Sequence, residues 1–238
     1  MHNTAAQTGK KFLEQYLNFG STVLEIGSYD VNGTLRSAYP NKFDWIGMDL
    51  ESGPGVDIVS EDPYQFPFAN NSFDACLSSS TFEHDNFFWL TFLEMARVVK
   101  PGGFIYLNAP SNGYVHNHPL DIWRFYPDAG IALEKWANKN NLSANLIESF
   151  VSDRGDEIWC DFVAVFQVDS IDAQPKLYKL VTCRNVNIVD VDSLKLCRLD
   201  TNSMTGEIEE LAAAKAFVKR NEKLVKRADK IRKLLKRL

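Results

Sequence analysis

Two hydrophobic patterns alternate along the chain. Short apolar runs close on a glycine, an acid or a turn cluster, and between them apolar residues recur every three or four positions. The run Val23, Leu24, Ile26 closes at Gly27 and is followed by the turn-forming stretch 28–33. A buried strand hands over in this way to a loop whose backbone lies close to something. Residues 5–17 predict an amphipathic helix with Phe12, Leu13, Tyr16 and Leu17 on one face. Strands are predicted at 22–27, 44–50, 56–59, 72–79, 104–109, 142–151 and 158–168, with one or two helical turns at 34–38. Phe88, Phe92, Met95 and Val99 predict a helix over 86–99, ended by Lys100-Pro101-Gly102-Gly103. Asp128 is placed to cap a helix reaching about Asn140.

This order predicts an α/β fold: a Rossmann-like doubly wound sheet of seven strands, mostly parallel, with an antiparallel last strand. The last two strands are joined by a short polar loop and pair as a hairpin, which cannot be parallel. Residues 1–170 form the main domain. Residues 171–206 are rich in β-branched positions and predict one or two extra strands or a linker. From Glu207 the pattern is helical, with Phe217, Leu224, Ile231 and Leu238 at a seven-residue period.

With 238 residues, 45% hydrophobic and 24% charged, the chain has ordinary globular composition and can bury a full core. No apolar run approaches the roughly 20 residues that span a bilayer, and the N-terminus lacks the basic-then-apolar pattern of a signal peptide. The four cysteines contain no C-x-x-C pair, so they read as reduced thiols of a cytoplasmic protein and predict no metal site. The net charge of −5 conceals an asymmetry. Residues 215–238 hold eleven Lys or Arg against Glu222 and Asp229. An acidic body therefore carries a basic helical tail.

Four features fall at the carboxyl ends of successive strands, where α/β sheets bind ligands. They are Glu25-x-Gly27 with its loop, Asp49, Asp62, and the stretch from Ser78 to His84. An acid at Asp49 is placed to accept hydrogen bonds from ribose hydroxyls. In VLEIG, WIGMDL, DPYQFPFANNSFDACLSSSTFEH and EMARVVKPGGFIYLNAP, over residues 20–170, the sequence resembles class I S-adenosylmethionine-dependent methyltransferases. The resemblance implies S-adenosylmethionine as cofactor. It places Gly27, with Tyr29 in its loop, and Ser79 near the methionine part. Asp49 would lie on the ribose, and Asp62, Leu50 and Pro63 against the adenine, with Glu25 steadying the loop. The usual loop has glycines at alternate positions; here Tyr29 and Val31 replace them, and a glycine returns only at Gly33. Asn32-Gly33 is positioned to make the left-handed turn.

Methyl transfer requires in-line alignment and exclusion of water, and a hydroxyl nucleophile gains from a base near neutral pKa. His84, His116 and His118 lie in the loops after strands four and five and are candidate catalytic residues. The loop NAPSNGYVHNHPLDIWRFYP is long and aromatic for a connector. Tyr114 and Trp123 offer flat apolar faces, while Asp121 and Arg124 offer polar groups. Together they suit a sugar or another polyhydroxylated small-molecule acceptor. The competing structural reading has Trp123 packing the loop and Arg124 pairing with Asp121 or Asp128. The loop pattern also resembles methyltransferases that occur with bacterial polysaccharide synthesis, implying a glycan acceptor.

The basic helix of residues 207–238 fits three partners: a homo-oligomer through a short coiled coil, an anionic membrane surface, or a partner protein. Nucleic acid is disfavoured because the acidic body is repelled by phosphates. The altered glycine loop also fits a non-catalytic cofactor-binding scaffold. Nitrogen on a small molecule or protein is an alternative methyl acceptor.

Overall fold

The computed structural model describes residues 2–117, 120–155, 158–200 and 206–235. The chain divides into two compact units, Met1–Thr201 and Asn202–Leu238.

The first unit is built on one sheet. Helix α1 (Asn3–Tyr16) leads into β1 (Thr22–Ile26), the single turn α2 (Leu35–Ala38), β2 (Asp44–Asp49), β3 (Ile58–Val59) and β4 (Phe73–Ser79). Then come α3 (Phe88–Val98), β5 (Val99–Pro110), α4 (Asp128–Lys139), β6 (Ala144–Ser152) and β7 (Asp161–Val168). Finally β8 (Cys183–Asp190) and β9 (Lys195–Leu199) follow a 3-10 turn at Leu177–Lys179. The strand order is β3-β2-β1-β4-β5-β7-β6-β8-β9. β1 to β5 are mutually parallel, and β7 is antiparallel to both β5 and β6.

The sheet has nine strands, not the seven expected. β8 pairs antiparallel with β6, and β9 with β8, so residues 183–199 extend the same sheet rather than forming a linker. The β-branched run Val186, Ile188, Val189 had the right chemistry for a strand, but its partner lies some forty residues upstream and is not read from local pattern. The extension is tied back to α4: Asp128 accepts hydrogen bonds from Asn187 Nδ2 (3.1 Å) and Arg198 (3.0 Å). Asp128 therefore lies inside the first turn of α4 instead of capping it, and Pro127 holds the cap position. A second boundary differs. Lys100-Pro101-Gly102-Gly103 does not separate helix from strand; β5 begins at Val99, and these residues bulge between the pairs Phe73–Val99 and Ala75–Phe104. Lys100 holds the bulge through Asp74 at 2.8 Å.

Both faces of the sheet are covered. Along β7, Phe162, Ala164, Phe166 and Val168 face α3 and α4, while Val163 and Val165 join Phe12, Leu13 and Tyr16 of α1 on the other side. This two-sided burial explains why β7 reads as an unbroken apolar run rather than an alternating one. The second unit contains one helix, α5 (Gly206–Leu235). No helix among the described residues is long and apolar enough to cross a membrane.

Candidate active site

The strand order reverses between β1 and β4, so the loops that follow them diverge and leave a crevice at the carboxyl end of the sheet. Gly27 opens the first loop at φ +71°, and a Cβ there would lie 2.0 Å from Thr81 Oγ1 in the loop after β4. A side chain is thus excluded both by backbone conformation and by the opposite wall. The N–H groups of Gly27 and Ser28 donate to the Met48 carbonyl at 3.0 and 3.3 Å. Asp49 reaches across from β2: one carboxylate oxygen accepts the Tyr29 N–H (2.9 Å) and the other its neighbour Leu50 N–H (2.7 Å). Glu25 is buried on β1 and accepts the Leu35 N–H at the start of α2 (3.3 Å). Burial pushes its carboxyl up to about 7.

The missing glycines have a structural solution. Tyr29 turns outward and lays its ring on the backbone of Gly53, where a Cβ would sit 1.8 Å from the ring. Asp30 closes a local turn by accepting the Gly33 N–H (2.6 Å), and Gly33 takes φ +94°. The left-handed turn therefore falls at Gly33 as its position suggested. Leu50 and Asp62 are exposed and Pro63 half-buried along the same rim. Asp62 accepts the Tyr64 N–H (2.8 Å), and the Tyr64 hydroxyl donates to Asp85 (2.9 Å), linking the β3 and β4 loops. Ser79 lies at the end of β4, its hydroxyl 3.5 Å from Asn108 Oδ1 at the end of β5.

The other side of the crevice is formed by residues 80–87, 111–117 and 120–127. These two loops are fastened together. The Glu83 carbonyl accepts the N–H groups of Ile122 (2.8 Å) and Trp123 (3.2 Å), and the Trp123 indole donates to the Asp85 carbonyl (2.9 Å). His84 Nδ1 hydrogen-bonds the Leu120 carbonyl. Asp121 forms a buried pair with Arg124, whose terminal nitrogens lie 2.5 and 2.7 Å from it, and also accepts the His116 N–H (2.8 Å). The Arg124 guanidinium foremost, then burial opposed by the His116 N–H, leaves the Asp121 carboxyl well below the usual range. Arg124 further donates to the carbonyls of Asn112, Tyr114 and Trp123, so it locks the loop.

The predicted acceptor residues separate accordingly. Trp123 packs edge-on to Phe88 and Trp89, at ring distances of 5.5 and 6.1 Å, and spends its surface anchoring the loop. Asp121 and Arg124 satisfy each other, as in the structural reading. Tyr114 remains open, 62% exposed, and leans on Trp159 at 5.1 Å. His84 and His116 face each other edge-on at 5.1 Å. His118 lies outside the described residues.

Sequence reasoning assigned no role to Glu83, Trp159 or Asn108. Glu83 is buried between the two loops, and its Oε1 lies 3.7 Å from His84 Nε2. Burial foremost, with Asp161 adding, pushes its carboxyl up to about 8. Glu83 Oε2 and Asn108 Nδ2 are buried with no hydrogen-bond partner, an expensive condition unless a ligand completes them. The visible signal for Glu83 was an acid directly before a histidine, just past the end of a parallel strand. Trp159 is brought in from the β6–β7 connection, which no local pattern links to the crevice.

A family model described as a methyltransferase domain matches residues 29–107. A Burkholderia thailandensis 1,6-didemethyltoxoflavin-N1-methyltransferase, solved with its substrate and S-adenosylhomocysteine, superposes with TM-score 0.54, covering 70% of this chain and 79% of that one at 14% identity. The fold is that of a class I methyltransferase. The [4+2]-cyclase SpnF shares this methyltransferase fold with TM-score 0.50 and 14% identity, covering 68% of this chain and 80% of that one. Among curated sequences, an uncharacterized methyltransferase of Mycolicibacterium paratuberculosis is 35% identical over 157 residues, 56% of this chain and 59% of that protein. One from Mycobacterium tuberculosis is 31% identical over 121 residues, 44% and 46% of the two chains. The chain thus spans about half the length of these relatives. The matched methyltransferase segment contains Asp49, Asp62, Ser79 and His84 but stops short of the loop carrying His116 and Arg124.

Proposed function

We propose that the chain transfers the methyl group of S-adenosylmethionine to an acceptor hydroxyl, the acceptor being a sugar or another small polyhydroxylated molecule. The observation that carries this reading is Asp49. It ends β2, beside the β1 loop that borders the reversal of strand order, half-buried, holding the Gly27 loop by one oxygen and its own loop by the other, where the ribose hydroxyls would meet it. Gly27 and Ser79 would flank the methionine part, Leu50, Asp62 and Pro63 the adenine, and buried Glu25 would keep the first loop in place. The cofactor supplies an electrophilic methyl on a sulfonium. The chain's residues align the acceptor, exclude water and accept its proton. The open face of Tyr114 and the polar group formed by Glu83, His84 and His116 support a polar acceptor with an apolar face. His118 is a further candidate base from its place in the same loop. The basic helix α5 is assigned the attachment role, to an oligomer, a membrane surface or a protein partner.

The test is release of S-adenosylhomocysteine from S-adenosylmethionine across a panel of monosaccharides, polyols and amines. Acceptor-dependent release with hydroxyl compounds is expected, and His84→Ala should lower turnover more than cofactor affinity. Release with amines alone would replace the oxygen acceptor by nitrogen. Cofactor binding without release across the panel would favour a scaffold role.

A further inference from the structure

Glu83, His84 and His116 come from two different loops, yet one ligand atom of each lies within 4.8 Å of the others. We propose that these three residues bind one divalent transition-metal ion of the Zn2+ class at the acceptor side of the crevice. Three features of the geometry point to a cation. First, Glu83 is 1% exposed and its Oε2 has no hydrogen-bond partner. A buried carboxylate oxygen is retained at a large cost unless something positive completes it. Second, the Leu120 carbonyl can only accept, so His84 Nδ1 carries the hydrogen and Nε2 carries the lone pair. That lone pair lies 3.7 Å from Glu83 Oε1. A shared ion would bridge the two atoms at this spacing. Third, His116 Nδ1 is buried with no hydrogen-bond partner, and Asp121 Oδ2, 3.2 Å from it, accepts the His116 backbone N–H instead. A buried ring nitrogen left unpaired beside a carboxylate favours a positive ligand.

The donor set fits this metal class. Two imidazoles with one carboxylate suit zinc, cobalt or iron(II), whereas magnesium and calcium prefer all-oxygen ligation. Ligands bound to zinc at about 2.1 Å lie about 3.4 Å apart in a tetrahedron. The three ligand atoms, now within 4.8 Å of one another, would draw together to this spacing around an ion. Three protein ligands leave a fourth position open, as catalytic zinc sites do. The Glu83 carbonyl bonds to Ile122 and Trp123 fix the two loops in register, so the site is assembled before an ion arrives.

The consequence for catalysis rests on the methyl-transfer reading. An acceptor hydroxyl on the open position would lose its proton to water more readily. Its oxygen would form the bond to the methyl carbon as the sulfur–carbon bond breaks. The sulfur keeps that electron pair and leaves as a neutral thioether, and the ion does not change oxidation state.

The test uses the full chain dialysed against a chelator. Calorimetry with Zn2+ should show one saturable site per chain. Co2+ should give visible ligand-field bands without the near-ultraviolet charge-transfer band of thiolate ligation. Glu83→Gln, which keeps the side-chain shape, and His116→Ala, which removes a half-exposed ring, should each weaken Zn2+ binding by about tenfold or more. His2→Ala should leave it unchanged. No saturable Zn2+ binding, a thiolate band, or full affinity in both site variants would overturn the proposal. S-adenosylhomocysteine is titrated in parallel. No Zn2+ binding by the wild-type chain, with that ligand still bound, overturns the metal site alone. One Zn2+ bound with no affinity for that ligand overturns the methyl-transfer reading and leaves the metal site standing.

Discussion

The two sides of the crevice are built on opposite principles. The side formed by the loops after β1 and β2 is held through backbone N–H groups: Gly27 and Ser28 donate to Met48, Gly33 to Asp30 in a local turn, and Tyr29 across to Asp49. Its side chains are few and mostly point outward, and the space is set by what is absent, above all a Cβ at Gly27. The side formed by residues 80–87, 111–117 and 120–127 is held by side chains: the Asp121–Arg124 pair, the Trp123 indole and the His84 imidazole. It keeps a buried carboxyl at Glu83 that no protein group completes. A backbone cradle suits a ligand that is always the same, and a side-chain wall can be changed residue by residue to suit a particular acceptor. The matched methyltransferase segment spans residues 29–107, taking in Asp49 and the 80–87 loop and ending before residue 111.

The strongest way to break the contrast is Gly27→Ala. The new Cβ would meet Thr81 and force a left-handed alanine, costing about 4 kcal/mol from strain and overpacking together. Thermal unfolding should drop by more than ten degrees, a loss that urea denaturation can check. A near-neutral result would mean the loop is not a tight cradle.

The next effect is in pH. Burial raises the Glu25 carboxyl to about 7, well above its unfolded value of about 4.5. The native state therefore holds the proton more tightly than the unfolded chain. Its advantage is complete below pH 4.5 and is lost as pH rises through about 7, a change of about 3 kcal/mol in all. Glu25→Gln should flatten this part of the stability profile between pH 4.5 and 7. Glu83, raised to about 8, should do the same on the acceptor side, with its window reaching about one pH unit higher. Unfolding free energies of the two glutamine variants at pH 5 and 8.5 distinguish the sides; parallel curves for wild type and variants would contradict the burial account.

Arg124→Ala sharpens the comparison by acting on one side only. It leaves the Asp121 carboxylate buried without its partner, and loss of about 2 kcal/mol of stability is expected. Acceptor KM should rise while S-adenosylhomocysteine affinity stays within about twofold, a difference that steady-state kinetics and calorimetry can read. The smallest effect belongs to Tyr29→Gly. The ring rests on Gly53 at the rim, and its loss should change cofactor affinity by less than about threefold.

Much of the first side was legible in the sequence. Gly27, Asp49 and Asp62 follow apolar runs of strand length, and short-range patterns report the carboxyl ends of strands directly. The solution at Tyr29 was not legible, because it depends on Gly53, which is far away in the chain and near in the fold. The same holds for the place of β8, expected as an extra strand but paired non-locally with β6, and for Asp128, which has a cap residue's chemistry but is drawn to Asn187 and Arg198. The acceptor side was readable only as a list of suitable residue types. Which of them work on the loop itself, as Trp123, Asp121, Arg124 and His84 Nδ1 do, and which keep polar atoms or an open face beyond it, as Glu83, His116 and Tyr114 do, is decided by three-dimensional pairing.

The central claim is that this crevice holds the cofactor with Asp49 on its ribose. Calorimetric titration of S-adenosylhomocysteine into wild type and Asp49→Ala tests it most directly. The account predicts one molecule bound per wild-type chain and an affinity at least about tenfold weaker in the variant, the worth of charge-assisted hydrogen bonds to a carboxylate. Equal affinity in the two proteins, or no binding to wild type, would contradict it.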